Sequence, residues 1–212
     1  MMKRLAIIML AISAYRMPAD AASLSIFAYD GAARPVLQSD PATVSAFNAD
    51  DHAQTKTANF VYYTLEVPAD WTQAGTGKMQ PADKTLLVTA LNLTGIEAST
   101  APEQDAAAMK SLLAELEKTA IRTLTSQGCK VVQEFSSQEI DRQRSLIRGV
   151  FQTGDGMTVV QYYVEGPTYV VPVLVTGNRD GTATMAEMDP ILSSLKWLGK
   201  PLPPLQRRPT AN

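Results

Sequence analysis

The sequence has very few of the residues that bind metals or form cross-links. Among its 212 residues, Cys129 is the single cysteine and His52 the single histidine. One cysteine cannot form an intramolecular disulfide, and these two residues cannot supply the four nitrogen and sulfur ligands of a structural zinc site. We therefore expect no disulfide, no metal and no cofactor, so the stability of the chain has to come from its core.

The sequence also lacks the apolar run of about 20 residues that a membrane-spanning helix requires. Its N-terminal apolar stretch extends from Leu5 to Ser13 and is soon followed by Arg16. Lys3-Arg4 precede this stretch and Ala19-Asp20-Ala21 follow it, which is the three-part pattern of a secretory signal peptide. We predict that residues 1–21 are a signal peptide cleaved near Ala21. An uncleaved N-terminal anchor and a buried N-terminal strand are the alternatives.

A cleaved signal peptide predicts a periplasmic or secreted protein with no membrane span in the mature chain. The full chain has 19 basic and 21 acidic residues. Three of the basic and one of the acidic residues lie in the predicted signal peptide, so the mature chain has 16 and 20, a net charge of −4. Nucleic-acid binding needs a surplus of lysine and arginine to neutralise phosphates. We therefore expect no nucleic acid among the partners.

Motifs of catalytic sites are absent or incomplete. No G-x-S-x-G elbow is present to pair with His52. Gly75-Thr76-Gly77-Lys78 lacks the spacing and the Ser or Thr of a phosphate-binding loop. Asp50-Asp51-His52 suits a weak metal site or half of an acid–base pair, but a solvated loop is the simpler interpretation. Cys129 lies beside Lys130, although a free cysteine is more often a core residue. We therefore do not expect covalent catalysis.

The most regular feature that is present runs from Met157 to Gly177. Two segments rich in valine and tyrosine flank Glu165-Gly166-Pro167, and this pattern predicts a β-hairpin at the centre of a sheet. Pro172 has no N–H to donate to a neighbouring strand. The second strand of the hairpin should therefore be an edge strand or contain a bulge at that residue.

Other segments predict further strands after a partly irregular N-terminal extension at residues 22–58. Within that extension we expect a short strand at Leu24–Tyr29 and then a loop over 32–57, with or without one helical turn. Pro68–Trp71 predicts a turn, and the Gly- and Pro-containing residues 73–84 predict a loop. Runs of β-branched and aromatic residues predict strands at 60–67, 85–92, 130–134 and 145–151.

A long helix is predicted after the second of these strands. Thr100 followed by Pro102 and Glu103 is typical of a helix start with a capping box, and Gly128 suits the left-handed residue at its end. Four acidic residues should be solvated charges on its outer face, namely Glu103, Asp105, Glu115 and Glu117. The apolar face has helical spacing and comprises Met109, Leu112, Leu113, Leu116, Ala120 and Leu124.

A second helix is predicted from Thr182, ending at Trp197 and Leu198. Asp189-Pro190 should either kink this helix or restart it with Asp189 as the cap. Residues 199–212 contain four prolines and predict a flexible tail. The domain itself therefore spans residues 59–198. We predict an α+β fold in which an antiparallel sheet of about six strands is covered by a long helix and a C-terminal helix.

Several segments together resemble the PsbP-like and DcrB-like superfamily of small α/β/α sandwich domains. They are a strand running into a P-x-x-W turn (Phe60 to Trp71), the capped helix, a Y-x-x-x-G-x-x-Y pattern (Tyr162 to Tyr169) and the ending Ile191-x-x-Ser194-Leu195-Lys196-Trp197. The resemblance covers about Asn59 to Leu198. The chain differs from the DcrB-like lipoproteins in having no lipidated cysteine. It differs from the secretion-chaperone branch in having a signal peptide.

The resemblance implies a non-catalytic module that binds other proteins or small hydrophobic segments. We accordingly predict an exported binding or scaffold protein that acts on an envelope protein or a small apolar ligand. One alternative is a secretion-system accessory factor that chaperones an apolar segment, which requires an exposed apolar groove between the long helix and the sheet. Another is an enzyme with a carboxylate and tyrosine site on the sheet face, which requires a pocket with a perturbed carboxylate.

Two groups of residues are candidates for the binding site. Adjacent residues of a strand point to opposite faces, so each of two tyrosine pairs should place one ring beneath a helix and the other on the second face. Rings on a face that is not fully covered would line a shallow groove. The aromatic candidates are Tyr62, Tyr63, Tyr162, Tyr163 and Tyr169, and the basic candidates are Arg142, Arg144 and Arg148.

Overall fold

The computed structural model describes residues 36–41, 46–49, 55–96 and 98–199. The predicted signal peptide, the strand expected at Leu24–Tyr29, the Asp50-Asp51-His52 triplet and the tail after Gly199 lie outside the described residues. Thirteen strands and two helices are present in the described part of the chain. In chain order they are β1 (Val36–Pro41), β2 (Ala46–Ala49), β3 (Thr55–Asn59), β4 (Tyr63–Pro68), β5 (Thr72–Gly75), β6 (Lys78–Gln80), β7 (Leu86–Ala90), β8 (Asn92–Ile96), α1 (Pro102–Ser126), β9 (Lys130–Asp141), β10 (Arg144–Gln152), β11 (Thr158–Glu165), β12 (Tyr169–Gly177), α2 (Gly181–Ser193) and β13 (Lys196–Trp197).

The strands form two antiparallel sheets. The larger has nine strands, with the order β5-β6-β7-β12-β11-β10-β9 and with β8 pairing both β12 and β1. The smaller has the order β13-β4-β3-β2. The predicted central hairpin is confirmed as β11 and β12, which pair continuously from Thr158–Gly177 to Glu165–Val170. Nearly every residue of these two strands is buried, on both faces of the sheet.

The larger sheet is the middle of three layers. On one face, α1 packs its buried residues against Ile147, Tyr163 and Val170. On the other face, residues of α2 and of the smaller sheet share one core cluster with Tyr162 and Val160. The α+β class and the two covering helices are therefore as predicted. The smaller sheet was not predicted as a separate layer, and the structure has more than the expected six strands.

The long helix forms where its apolar spacing predicts it. All six residues of the predicted face are buried. Gly128 has φ +87°, and the Cys129 N–H donates to the Leu124 carbonyl oxygen at 3.0 Å, which is the pattern of a Schellman motif. The capping box with Thr100 is wrong. Pro102 at the first helical position holds the preceding residue, Ala101, extended as the N-cap.

Ser99, and not Thr100, makes the side-chain hydrogen bonds at the start of this helix. The Ser99 hydroxyl donates to the Asp105 carboxylate at 2.7 Å, and the Ser99 N–H donates to the same group at 3.0 Å. The Ala101 N–H in turn donates to the Ser99 hydroxyl oxygen at 3.1 Å. Asp105 is therefore not simply a solvated charge.

Pro172 lies in the interior of the larger sheet, so the edge-strand alternative is wrong. Its nitrogen faces the place where the neighbouring strand is broken, since β7 pairs with β12 only up to Ala90–Val173 and β8 begins to pair at Thr94–Val170. In that break the Leu91 N–H donates to the Pro172 carbonyl oxygen at 2.9 Å. The irregularity that a proline requires is thus in the partner strand.

Several polar segments expected to be loops are strands. The stretch 32–57 includes β1, β2 and the start of β3, and 73–84 includes the hairpin of β5 and β6. Gly77 in the turn of that hairpin has φ +64°, which glycine adopts without strain. The single strand expected at 60–67 is also wrong at its start, because the Phe60 N–H donates to the Tyr63 carbonyl oxygen and closes a turn before β4.

Helix α2 neither restarts at Asp189 nor extends to Trp197. Asp180 is its N-cap, accepting a hydrogen bond from the Ala183 N–H at 2.8 Å. The Asp189 side chain cannot cap a new helix because it contacts Tyr162 and Arg148 instead. After Ser193 the chain turns into β13, where Trp197 pairs with Tyr63 of β4. The predicted turn at Pro68–Trp71 is confirmed.

Candidate functional site

Four of the five candidate tyrosines lie in the core. Tyr63, Tyr162, Tyr163 and Tyr169 are each no more than 5% exposed, and Tyr62 is partly buried. The Tyr163 hydroxyl donates to the Leu116 carbonyl oxygen of α1 at 3.0 Å. Burial raises the pKa of the Tyr63 hydroxyl, for which the described residues provide no hydrogen-bond partner. A ligand cannot contact these four rings in this structure.

Three of the aromatic rings form a stack in which Tyr169 is buried and Tyr62 and Trp197 are half-buried. The Trp197 ring lies parallel to that of Tyr169, with 4.2 Å between centroids, and to that of Tyr62, with 5.9 Å. The Tyr169 ring also lies against Gly166, where an added Cβ would be 2.2 Å from it. Trp197 was not predicted as part of any site, because its strand β13 was not predicted.

Arg148 belongs to a polar network beneath α2. Its guanidinium is 3.3 Å from the Asp189 carboxylate and donates to the Gln138 side chain at 3.0 Å. The Tyr162 hydroxyl donates to the other oxygen of Asp189 at 3.2 Å. Burial raises the pKa of Asp189, while Arg148 and the bond from Tyr162 oppose that shift. These contacts join α2 to the sheet, and both charged side chains are about four-fifths buried.

Arg142 and Arg144 lie at the turn between β9 and β10. The Arg144 guanidinium is 2.6 Å from the Asp141 carboxylate and also donates to the Leu195 carbonyl oxygen. Arg142 is exposed. Both line a cleft of about 830 Å³ between α1 and the β9–β10 hairpin. Arg148 does not, so the basic candidates are divided between two places.

The cleft has an apolar floor and polar walls. Met109 and Leu113 of α1 and Ile147 of β10 form the floor, and the turn Glu165-Gly166-Pro167 closes one end. Seven of the 17 lining residues are charged. They are Lys110, Glu117, Glu139, Asp141, Arg142, Arg144 and Glu165.

Two of these carboxylates are partly withdrawn from water. Burial raises the pKa of Glu165, and a hydrogen bond from the Ser145 side chain partly opposes the shift. Ser145 lies directly opposite Glu165 in the pairing of β10 with β11. Burial also raises the pKa of Glu117 on α1. Glu117 was expected to be a solvated charge, and that prediction is wrong because the side chain lies beside the hairpin.

Glu165 was not among the site residues predicted from the sequence, although its position in the sequence indicates that it is unusual. An acidic residue ends an apolar strand immediately before Gly166-Pro167, so its side chain has to lie at the margin of the core. The lining includes no tyrosine, histidine or cysteine. Within the described residues, no group of three or more His, Cys, Asp or Glu side chains is arranged to hold a metal ion.

The comparisons with known proteins find a similarity of fold. No family model and no curated protein matches its sequence. Its fold is similar to the solution structure of cyanobacterial PsbP (CyanoP) from Synechocystis sp. PCC 6803, with a TM-score of 0.43 and 12% identity, over 72% of this chain and 91% of that chain. The match agrees with the PsbP-like resemblance and tells nothing further about function. In the described part of the chain, neither helix has the length and hydrophobicity needed to span a bilayer.

Proposed function

We propose that this is a non-catalytic binding protein whose cleft between α1 and the β9–β10 hairpin takes an extended segment of a partner protein. The observation that carries the proposal is the lining, in which an apolar floor lies between walls with charges of both signs. A small apolar ligand is usually enclosed by mostly apolar residues, whereas this cleft is open and its walls are polar. A polypeptide segment offers both apolar side chains and polar groups to such a surface.

A chaperone for a purely apolar segment fits the cleft less well. The cleft lies where that function requires a groove, between the long helix and the sheet. However, an apolar occupant would cover half-buried carboxylates such as Glu165 without giving them any hydrogen bond, which is unfavourable. A segment with both polar and apolar side chains avoids that penalty.

An enzyme remains the second candidate because of one observation. Glu165 lines the cleft and burial raises its pKa, which is a property of many general acids. No tyrosine lines the cleft beside it, so the tyrosine part of such a site is missing there. Turnover of a chromogenic glycoside or ester panel that is abolished by Glu165→Gln would favour this candidate over binding.

Export belongs to the same proposal. The pattern of the first 21 residues supports a signal peptide cleaved near Ala21 and a mature protein in the periplasm or outside the cell. The test is intact mass spectrometry of the protein from the soluble envelope fraction. A mature N-terminus at Ala22 is expected, and a full-length chain retained in the membrane fraction would support the uncleaved anchor.

The binding proposal is tested by filling the cleft. Ala114 and Ala107 are both exposed on α1, but only Ala114 lines the cleft. A photo-crosslinking residue at position 142 should therefore form a discrete adduct with a partner in the native envelope, and Ala114→Trp should abolish that adduct. Ala107→Trp is the matched control and should leave it unchanged. The proposal would be contradicted if Ala114→Trp and Ala107→Trp formed the adduct equally well. It would also be contradicted if a crosslinking residue at exposed Thr72, on the far edge strand β5, formed the same adduct as one at position 142.

A further inference from the structure

The charges that line the cleft are not all compensated within the protein. Arg144 pairs with Asp141, so these two charges largely cancel. Lys110 and Arg142 are exposed at the rim, where water screens them. In the described residues neither Glu117 nor Glu165 takes part in an ion pair, and the one polar contact recorded for Glu165 is the neutral Ser145 hydroxyl.

Of the three carboxylates of the cleft that form no ion pair in the described residues, Glu139 is exposed to water and the two half-buried ones come from different elements. Glu117 is on α1, and Glu165 is at the end of β11 beside the turn that closes the cleft. Burial of each carboxylate without a cation is unfavourable, and the raised pKa of both groups is the expected sign of it. A ligand that brings a positive charge between α1 and β11 would offset this penalty at both groups.

The apolar floor is complementary to the rest of such a ligand. Lysine and arginine carry their charge on an apolar stem that can lie along apolar surface. Met109, Leu113 and Ile147 provide that surface in the cleft that the two carboxylates also line. Apolar residues adjacent to the basic residue in a bound segment can lie against the same floor.

We infer that the partner segment bound in the cleft carries lysine or arginine residues that pair with the carboxylates of Glu165 and Glu117, flanked by apolar residues that lie on Met109, Leu113 and Ile147. The inference rests on the proposed function, since it specifies which segment the cleft selects. It assigns roles to two acidic residues. Glu165 lies opposite Ser145 at the end of β11, and Glu117 lines the cleft from α1.

The test uses a phage-displayed library of linear nonapeptides selected on the mature chain. Peptides that bind the wild type and Ala107→Trp but not Ala114→Trp depend on the cleft. These peptides are expected to be enriched in lysine and arginine next to leucine, valine or isoleucine. Glu165→Gln should weaken the binding of a selected peptide about tenfold, which corresponds to about 1.4 kcal/mol. Glutamine keeps the size of the side chain and can still accept a hydrogen bond from Ser145.

A double-mutant cycle separates pairing from a general effect. When the basic residue of the peptide is replaced by glutamine, Glu165→Gln should no longer change its affinity. Cleft-dependent peptides without basic enrichment would overturn the inference and leave the proposed function intact. No cleft-dependent peptide at all would overturn both.

If Arg207→Gln with Arg208→Gln in the full mature chain strengthened peptide binding about tenfold, the occupant would be the chain's own C-terminal segment and not a partner.

Discussion

Gly166 lies where the core meets the cleft, and the packing there leaves no room for a side chain. It lines the cleft, and the Tyr169 ring lies so close that a Cβ would be 2.2 Å from its Cζ. The ring cannot move freely, because it is stacked at 4.2 Å on Trp197. The glycine is therefore required by close approach and not by its backbone conformation.

We predict that Gly166→Ala destabilises the protein by about 1–3 kcal/mol, the range typical of overpacking in a core. The measurement is urea unfolding at neutral pH. Gly154→Ala is the control, because no atom lies within 4 Å of its added Cβ, and it should change the free energy of unfolding by less than about 0.5 kcal/mol. Equal stability of the two variants would show that the Tyr169 ring has room to move.

Glu165 predicts a dependence of stability on pH. Burial raises the pKa of its carboxyl in the folded protein. The folded state therefore binds the proton more tightly than the unfolded state, and ionisation lowers the free energy of unfolding as the pH rises from about 4 through the folded pKa. Glutamine cannot ionise and avoids this loss.

Glu165→Gln should accordingly be more stable than the wild type at pH 7, and the difference should shrink as the pH falls to 4 and below. Thermal unfolding at a series of pH values measures it. Glu117 and Asp189 shift stability in the same direction, but they are present in both proteins, so the difference isolates Glu165. A difference that grows at low pH would mean that the folded protein favours the ionised carboxylate.

At the scale of elements, the contact between α2 and the sheet depends on few polar groups. Arg148 and Tyr162 of the sheet both contact Asp189 of the helix. We predict that Arg148→Met destabilises the protein by about 1–3 kcal/mol, because it leaves a mostly buried carboxylate without its cation. Asp189→Asn in the same chain should recover part of that loss, which a double-mutant cycle in urea would measure.

Arg122 provides the control for that cycle. It is exposed on α1, so Arg122→Met should change the free energy of unfolding by less than about 0.5 kcal/mol. If Asp189→Asn added its full effect to that of Arg148→Met, the two side chains would not be coupled. The attachment of α2 would then come from Met188, Ile191 and Leu192 in the core cluster alone.

Elements with strong local patterns could be predicted from the sequence. The central hairpin has β-branched and aromatic residues on both sides of a Gly-Pro turn, and α1 repeats its apolar residues with the helical period. The hairpin of β5 and β6 has neither signal. Its strands are short and polar, with all four residues of β5 exposed, and they form because β6 pairs with β7 at the edge of the larger sheet. Such pairing is a tertiary effect that local propensity does not reveal.

The candidate site was predictable only in part, for a related reason. Arg142 and Arg144 could be found as a basic cluster at a predicted turn, and both line the cleft. The acidic residues Glu117 and Glu165 are 48 positions apart, and only the packing of α1 against the hairpin brings them to one surface. The tyrosines were chosen for their alternation along a strand. Alternation assigns each ring to a face but does not show that both faces are covered.

At the scale of the whole molecule, the two sheets share one core. Tyr63 and Leu65 of β4, and Phe60 in the turn before it, lie in the same buried cluster as Val160 and Val173 of the larger sheet. Trp197 adds a second connection, because its backbone pairs with β4 while its ring stacks on Tyr169 of β12. We therefore predict that the wild type unfolds in a single transition. Trp71 is fully buried in the turn between β4 of the smaller sheet and β5 of the larger one. Its emission therefore reports on the junction of the two sheets, and far-UV circular dichroism reports on all elements.

Trp197→Ala removes the ring from both stacks and should lower the free energy of unfolding by about 1–3 kcal/mol, since each aromatic pair contributes about 0.5–1.5 kcal/mol. Urea unfolding followed by Trp71 emission and by circular dichroism measures the effect. Trp197→Phe preserves a ring and should lose less than half as much. In both variants the two signals should still coincide, because Phe60, Tyr63 and Leu65 keep the sheets in one cluster. An earlier transition in Trp71 emission than in circular dichroism would mean that the junction of the two sheets opens before the other elements unfold and that Trp197 is the main connection between the layers.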